Sequence, residues 1–152
     1  MWQNLKTKIS AMLSANGLFQ QVFTYEPEEF NGDPVAVIMP SVNESDYRTT
    51  TSNRRIYAFN LQLLVKLGDP KGTKRVDDTL TDLVDSVLDD FDKYYTLGTG
   101  SPGSALVLPT GYTMVRVWAL PSTWFYVQRE ATYRGAEIQL KVEMDVDVSL
   151  IT

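Results

Sequence analysis

The chain is predicted to be an α+β protein, a two-layer sandwich of a mainly antiparallel or mixed β-sheet with two main helices packed on one face. Three observations predict it. Two segments, at the N-terminus and from residue 73 to about 93, repeat apolar residues at helical spacing. Two long segments alternate apolar and polar residues, as half-buried strands do. The strands largely follow one another through short turns, which favours pairing of sequence neighbours over parallel crossovers. A length of 152 residues with 43% apolar, 11% aromatic and 22% charged side chains suits one globular domain, 1–152. About two-thirds of the surface of such a chain can be buried without disulfide or metal staples.

Taken in order, Trp2, Leu5, Ile9, Met12 and Leu13 form the buried stripe of a first helix that Asn16-Gly17 can stop. Leu18 to Tyr25, rich in aromatic and β-branched residues, reads as a strand. The turn signal Asn31-Gly32-Asp33-Pro34 follows, then a short apolar strand Val35–Met39 closed by Pro40. Residues 41–53 have no apolar periodicity and read as a polar loop or an extended hairpin tip. From Arg54, the residues Tyr57, Phe59, Leu61, Leu63, Val65 and Leu67 define one face of a long strand, ended by Gly68-Asp69-Pro70-Lys71-Gly72. Thr73 is placed to cap the strongest helix, whose buried stripe is Val76, Leu80, Leu83, Val84, Val87 and Phe91. A Gly/Pro-rich loop covers 96–111 with an apolar island at Ala105–Leu108. Strands are expected at 113–120 and 123–130, separated at Pro121, and a last strand alternates strictly from Arg134 to Val148. The order is α-β-β-β-α-β-β-β.

Composition excludes much chemistry. With no Cys there is no disulfide frame, thiol nucleophile or thiolate metal site. With no His, the Ser-His-Asp, Cys-His and HExxH sites and His-ligated haem are excluded as well. No cofactor or metal is expected, and catalysis would have to rest on carboxylates, Lys, Tyr or hydroxyls. Fourteen basic against 19 acidic residues, a net charge of -5, oppose binding to nucleic acid or to anionic membranes. No stretch reaches the ~20 apolar residues of a membrane span, and the N-terminus lacks the apolar run of a signal peptide. The lack of Cys fits synthesis inside a cell.

Charge patterning is the informative remainder. Asp78, Asp82, Asp85, Asp89 and Asp92 are spaced 4, 3, 4 and 3, which confines them to one helix face opposite the apolar stripe. That face admits three readings: a solvated surface, a docking strip for a basic surface of another subunit, or part of a divalent-cation site. Arg48, Arg54 and Arg55 flank the polar stretch that precedes the long third strand. They read as loop charges or as the counterpart of the Asp strip (Asp78, Asp82, Asp85, Asp89) on a neighbouring copy, a head-to-tail contact that can close into a ring. Glu143, Asp145 and Asp147 share the polar face of the last strand, as a solvated or lumen-facing acidic strip. Their spacing of ~7 Å also falls in the range that paired-carboxylate hydrolases use.

The whole resembles the tail terminator, or tail-completion, proteins of long-tailed bacteriophages. The resemblance runs from an amphipathic N-terminal helix into LFQQVFTY, through PVAVIMP, the polar excursion SVNESDYRTTTSNRR and the strand IYAFNLQLLVKL. The acidic helix VDDTLTDLVDSVLDDFDKYY and the closing TYRGAEIQLKVEMDV complete it. It implies a non-enzymatic virion protein made in the host bacterial cytoplasm and placed at the head-proximal end of the tail. Its partners would be its own copies in a hexameric ring, the tail tube protein and the head connector, with DNA passing through unbound. Six copies at -5 would carry -30, and an acidic lining built from Glu143, Asp145 and Asp147 would repel phosphate. A head–tail connector or neck adaptor is the nearest alternative, and a carboxylate hydrolase a further one.

Overall fold

Seven elements, all bearing on one sheet, follow the expected order. The computed structural model describes residues 1–30, 32–68, 73–98 and 100–151, without the side chains of Thr73 and Ser122. The elements are α1 (Trp2–Ala15), β1 (Gln21–Phe23), β2 (Val35–Tyr47), β3 (Ser52–Lys66), α2 (Thr73–Lys93), β4 (Tyr112–Gln128) and β5 (Thr132–Asp147), with a 3-10 turn at Val148–Leu150. The sheet order is β1-β2-β3-β5-β4; β1 runs parallel to β2 and every other pair is antiparallel. The fold is thus α+β with a mixed sheet, as expected.

The apolar alternation of β3 and β5 sets the layers. Phe59, Leu61, Leu63, Ile138, Leu140 and Val142 point to one face and are fully buried under the helices. Helix α1 lies over β1 and β2 with Leu5, Ile9, Met12 and Leu13; α2 lies over β3, β5 and β4 with Leu80, Val87 and Phe91. Each of these side chains contributes roughly 1.5–3 kcal/mol by leaving water. Trp2 closes the end of this core edge-on against Tyr57 and Phe59, with centroids 5.0 Å apart in both cases.

Several boundaries differ from expectation. The first strand is only three residues long, because the chain leaves the sheet edge at Thr24 and crosses to the opposite face. There Phe30, Val35, Val37, Leu64 and Tyr133 make a second, smaller core. Strand β2 does not stop at Pro40 but continues to Tyr47, with an irregularity between Pro40 and Asn43. Proline is tolerated there because this stretch is a sheet edge and needs no outward donor. Residues 41–53 are therefore the hairpin reading of that segment, turning at 48–51. The strands expected at 113–120 and 123–130 lie end to end in β4, and the break at Pro121 is a register shift between Pro121 and Thr123. Val148, expected in the last strand, begins the 3-10 turn. Asn16 stays right-handed and Gly17 alone takes the left-handed turn (φ 71°) that ends α1. The turn residue Asn31, residues 69–72 and the side-chain cap at Thr73 lie outside the described residues.

Gly135 shows how tightly β4 and β5 meet. It faces Phe125 across the ladder, and a Cβ there would sit 2.5 Å from that ring and 2.7 Å from Leu64. The aromatic ring fills the space that a side chain would take.

Candidate functional site

The face of the sheet turned away from the helices carries the predicted acidic strip. Alternation along β5 puts Glu143, Asp145 and Asp147 there, opposite the buried Val142, Met144 and Val146. Glu143 is not a free carboxylate. It is only 5% exposed, and its Oε2 accepts from Arg116 Nε at 3.0 Å while Oε1 lies 3.1 Å from Arg54 Nε and 4.0 Å from Arg48 Nη2. Three guanidinium groups thus surround one carboxylate, a geometry that repays part of its desolvation. Asp145 is half-buried, and its Oδ1 has no hydrogen-bond partner among the described residues. Asp147 is exposed and caps the terminal turn, accepting from Ser149 N at 3.1 Å and Ser149 Oγ at 2.6 Å.

The arginine set expected to act together is split. Arg48 and Arg54 join Glu143, whereas Arg55 lies on the other face of β3, where Nη1 donates to Tyr112 Oη at 2.7 Å. A hydrogen bond with Tyr57 and the neighbouring Tyr112 hold the Arg55 pKa above its ordinary value, and burial raises that of Tyr57. Arg54 and Glu143, assigned to two different surfaces by sequence, are neighbours on one. The residue that sequence reasoning missed is Arg116. Its signal was available: it is the only charged side chain in the 17 residues of β4. Its guanidinium lies 4.5 Å from the Trp118 ring, so the head is held over an aromatic face as well as against Glu143.

The Asp stripe stands where the helical spacing put it. Asp78, Asp82, Asp85, Asp89 and Asp92 are exposed, and Asp78 meets Lys74 one turn earlier at 3.4 Å. The helix is held to the sheet by a different carboxylate, Asp77, which accepts from Arg134 Nε at 3.2 Å; that arginine also lies 4.4 Å from the Tyr126 ring. Among the described residues no three acidic side chains converge in a geometry that could hold a metal ion, and no helix is long and apolar enough to cross a membrane.

A half-open cavity of about 470 Å³ lies under the 96–111 loop. Its walls are loop backbone with Leu97, Leu106 and Met114, and none of its described lining side chains titrates. The loop is latched to α1 by Lys8, whose Nζ donates to the carbonyls of Pro102 and Ser104, both at 2.9 Å. Burial lowers the pKa of that lysine.

Fold and surface together describe a two-layer α+β chain with a charged sheet face, on which Glu44, Asp46, Arg54 and Ile56 line a half-open cavity of about 230 Å³. No family model and no curated protein matches it. Among solved structures it is similar to a chain of the virion of a native gene transfer agent (GTA) particle, with a TM-score of 0.51 and 15% identity. The alignment covers 93% of this chain and 90% of that one, so the fold is shared over nearly the full length of both.

Proposed function

We propose that the chain is a structural component of a phage-like virion and, within that class, a tail terminator. Copies form a ring on the head-proximal end of the tail tube, stop its growth and join it to the head connector. The observation that carries the first part is the near-complete fold shared with a chain of a gene transfer agent virion. The narrower role rests on the sequence resemblance to tail terminators, and on a surface whose specific features are exposed charges suited to contacts between proteins. In this reading the chain is not an enzyme. The cavity under the 96–111 loop carries no acid or base among its described lining residues, and the Glu130 carboxyl is held below its usual pKa, the wrong direction for a general acid.

The strand face bearing Glu143, Asp145 and Asp147 is turned away from the helices and is free to line a lumen. Because Arg48, Arg54 and Arg116 offset Glu143, that lining is a mixed lattice of charge and not a uniform acidic wall. DNA then meets paired charges that bind phosphate weakly, which suits passage.

Deleting the gene from its virus tests the reading. A terminator's absence gives tails of irregular, excessive length with no heads attached. Tails of normal length that fail to join heads would assign the chain to the connector instead, and normal virions would refute both.

A further inference from the structure

The two long edges of the sheet carry opposite charge at the same height. The pairing register places Glu44, Ile56, Glu143 and Arg116 in one row across β2, β3, β5 and β4. The adjacent row on the same face runs Asp46, Arg54, Asp145 and Thr113. Read strand by strand, the face is acidic on β2, basic on β3, acidic on β5 and basic on β4. The β3–β5 and β5–β4 boundaries in that series are already arginine–carboxylate contacts. At its two ends the series is unfinished. Glu44 and Asp46 are exposed and have no ion pair among the described residues, and Arg116 spends its Nε on Glu143 while its side chain stays 58% exposed. An arginine has five N–H donors, so its two terminal nitrogens are available to a second carboxylate.

We propose that a second copy of this chain docks edge to edge, its β2 strand of residues 41–47 against β4 of the first, so that Arg116 of one copy meets Glu44 and Asp46 of the next. The inference rests on the ring reading above and names the contact that builds the ring. Strand direction agrees: β3 and β4 both run antiparallel to β5, so β2 is antiparallel to β4. Copies related by rotation about an axis along the strands therefore bring an antiparallel β4–β2 pair together with the rows at one height. Such a contact is heterologous, uses two different patches, and closes into a ring.

Both edges are open enough to meet. Beyond Val37, β2 has a neighbour on one side only, and β4 pairs only with β5. Long uncovered edges invite another chain, and apolar side chains accompany the charges, with Val42 and Tyr47 exposed on β2 and Leu120 on β4. The Val117 amide already donates to the Tyr95 carbonyl at 2.6 Å. The β4 edge is therefore capped at that point, and side chains carry the contact in place of a full backbone ladder. The contact also leaves Arg48 and Arg54 with Glu143 and the Asp stripe in solvent, unlike docking of the stripe onto those arginines.

The absence of cysteine makes the test direct. In one molecule β2 and β4 are three strand spacings apart, roughly 14 Å, beyond the ~7 Å that a disulfide can bridge. The double variant Asp46→Cys/Thr113→Cys, in the full-length chain, can therefore cross-link only between copies. The rival pair Arg48→Cys/Asp85→Cys reports docking of the stripe. Oxidation is done on the chain alone at millimolar concentration and with the tail tube protein of the same virus, with mass measured in parallel. A closed ladder from the first pair is expected. Arg116→Glu should lower its yield about tenfold, and adding Glu44→Arg should restore it to within about twofold. A ring that forms by mass while only the rival pair cross-links, or neither does, overturns the edge contact and leaves the terminator reading standing. A chain that stays monomeric under both conditions overturns both.

Discussion

At the scale of single residues, Glu143 shows why spacing alone misjudges a carboxylate. Its position on the polar face was readable from strict alternation, but its burial was not, because the three arginines reach it from β4, from β3 and from the hairpin turn. Removing it leaves three like charges facing one another. Glu143→Ala should cost about 1–3 kcal/mol, less than a fully buried pair because the arginines can turn to water. The urea midpoint of the monomer measures this, and Glu143→Gln should recover part of the loss. An unchanged midpoint would mean that the cluster contributes nothing to folding.

Among the elements, the segment from Thr24 to Pro34 was the least readable. Its function in the fold is to cover apolar side chains on what the alternation marks as a polar face, and only Phe30 and Leu64 hinted at it. It is held by Tyr133, whose Oη donates to Glu130 Oε1 at 2.6 Å while the Phe30 amide donates to the same oxygen at 3.2 Å. The Phe30 ring stands edge-on to Tyr133 with centroids 5.2 Å apart. The bond from Tyr133 lowers the Glu130 pKa beneath its ordinary 4.5. The sign follows: a carboxyl that binds its proton less readily when folded stabilises the fold above pH 4.5, and that contribution is lost as pH falls through the lower folded value. Protection of the Phe30 amide, its exchange taken relative to the intrinsic rate at each pH, should therefore fall on acidification below about pH 4.5, and Glu130→Gln should lose that protection already at about pH 7. Acid-independent protection at Phe30 would show that the carboxylate does not hold the segment.

For the whole molecule, charge is distributed in two separate systems. The sheet face forms an interlocked lattice, and the α2 stripe is a row of solvated like charges. Acidic side chains at i,i+4 and near a helix C-terminus are mildly unfavourable. Asp82→Lys with Asp85→Lys should therefore leave thermal unfolding of the monomer within about 0.5 kcal/mol, if anything slightly raised. Ring formation should be unaffected. A ring lost with the fold intact would give the stripe a contact of its own.

The sequence by itself determined the kinds of element, their order, which face of each is apolar, and the exclusion of His and Cys chemistry, because periods of 3.6 and 2 and a residue count are local properties. Helix α2 from Thr73 to Lys93 and its stripe were complete at that level. The continuation of β2 past Pro40, the placing of β5 between β3 and β4, and the company Arg54 keeps were decided only in three dimensions. Strand order and register join residues as far apart as Glu44 and Arg116, and no window along the chain contains both.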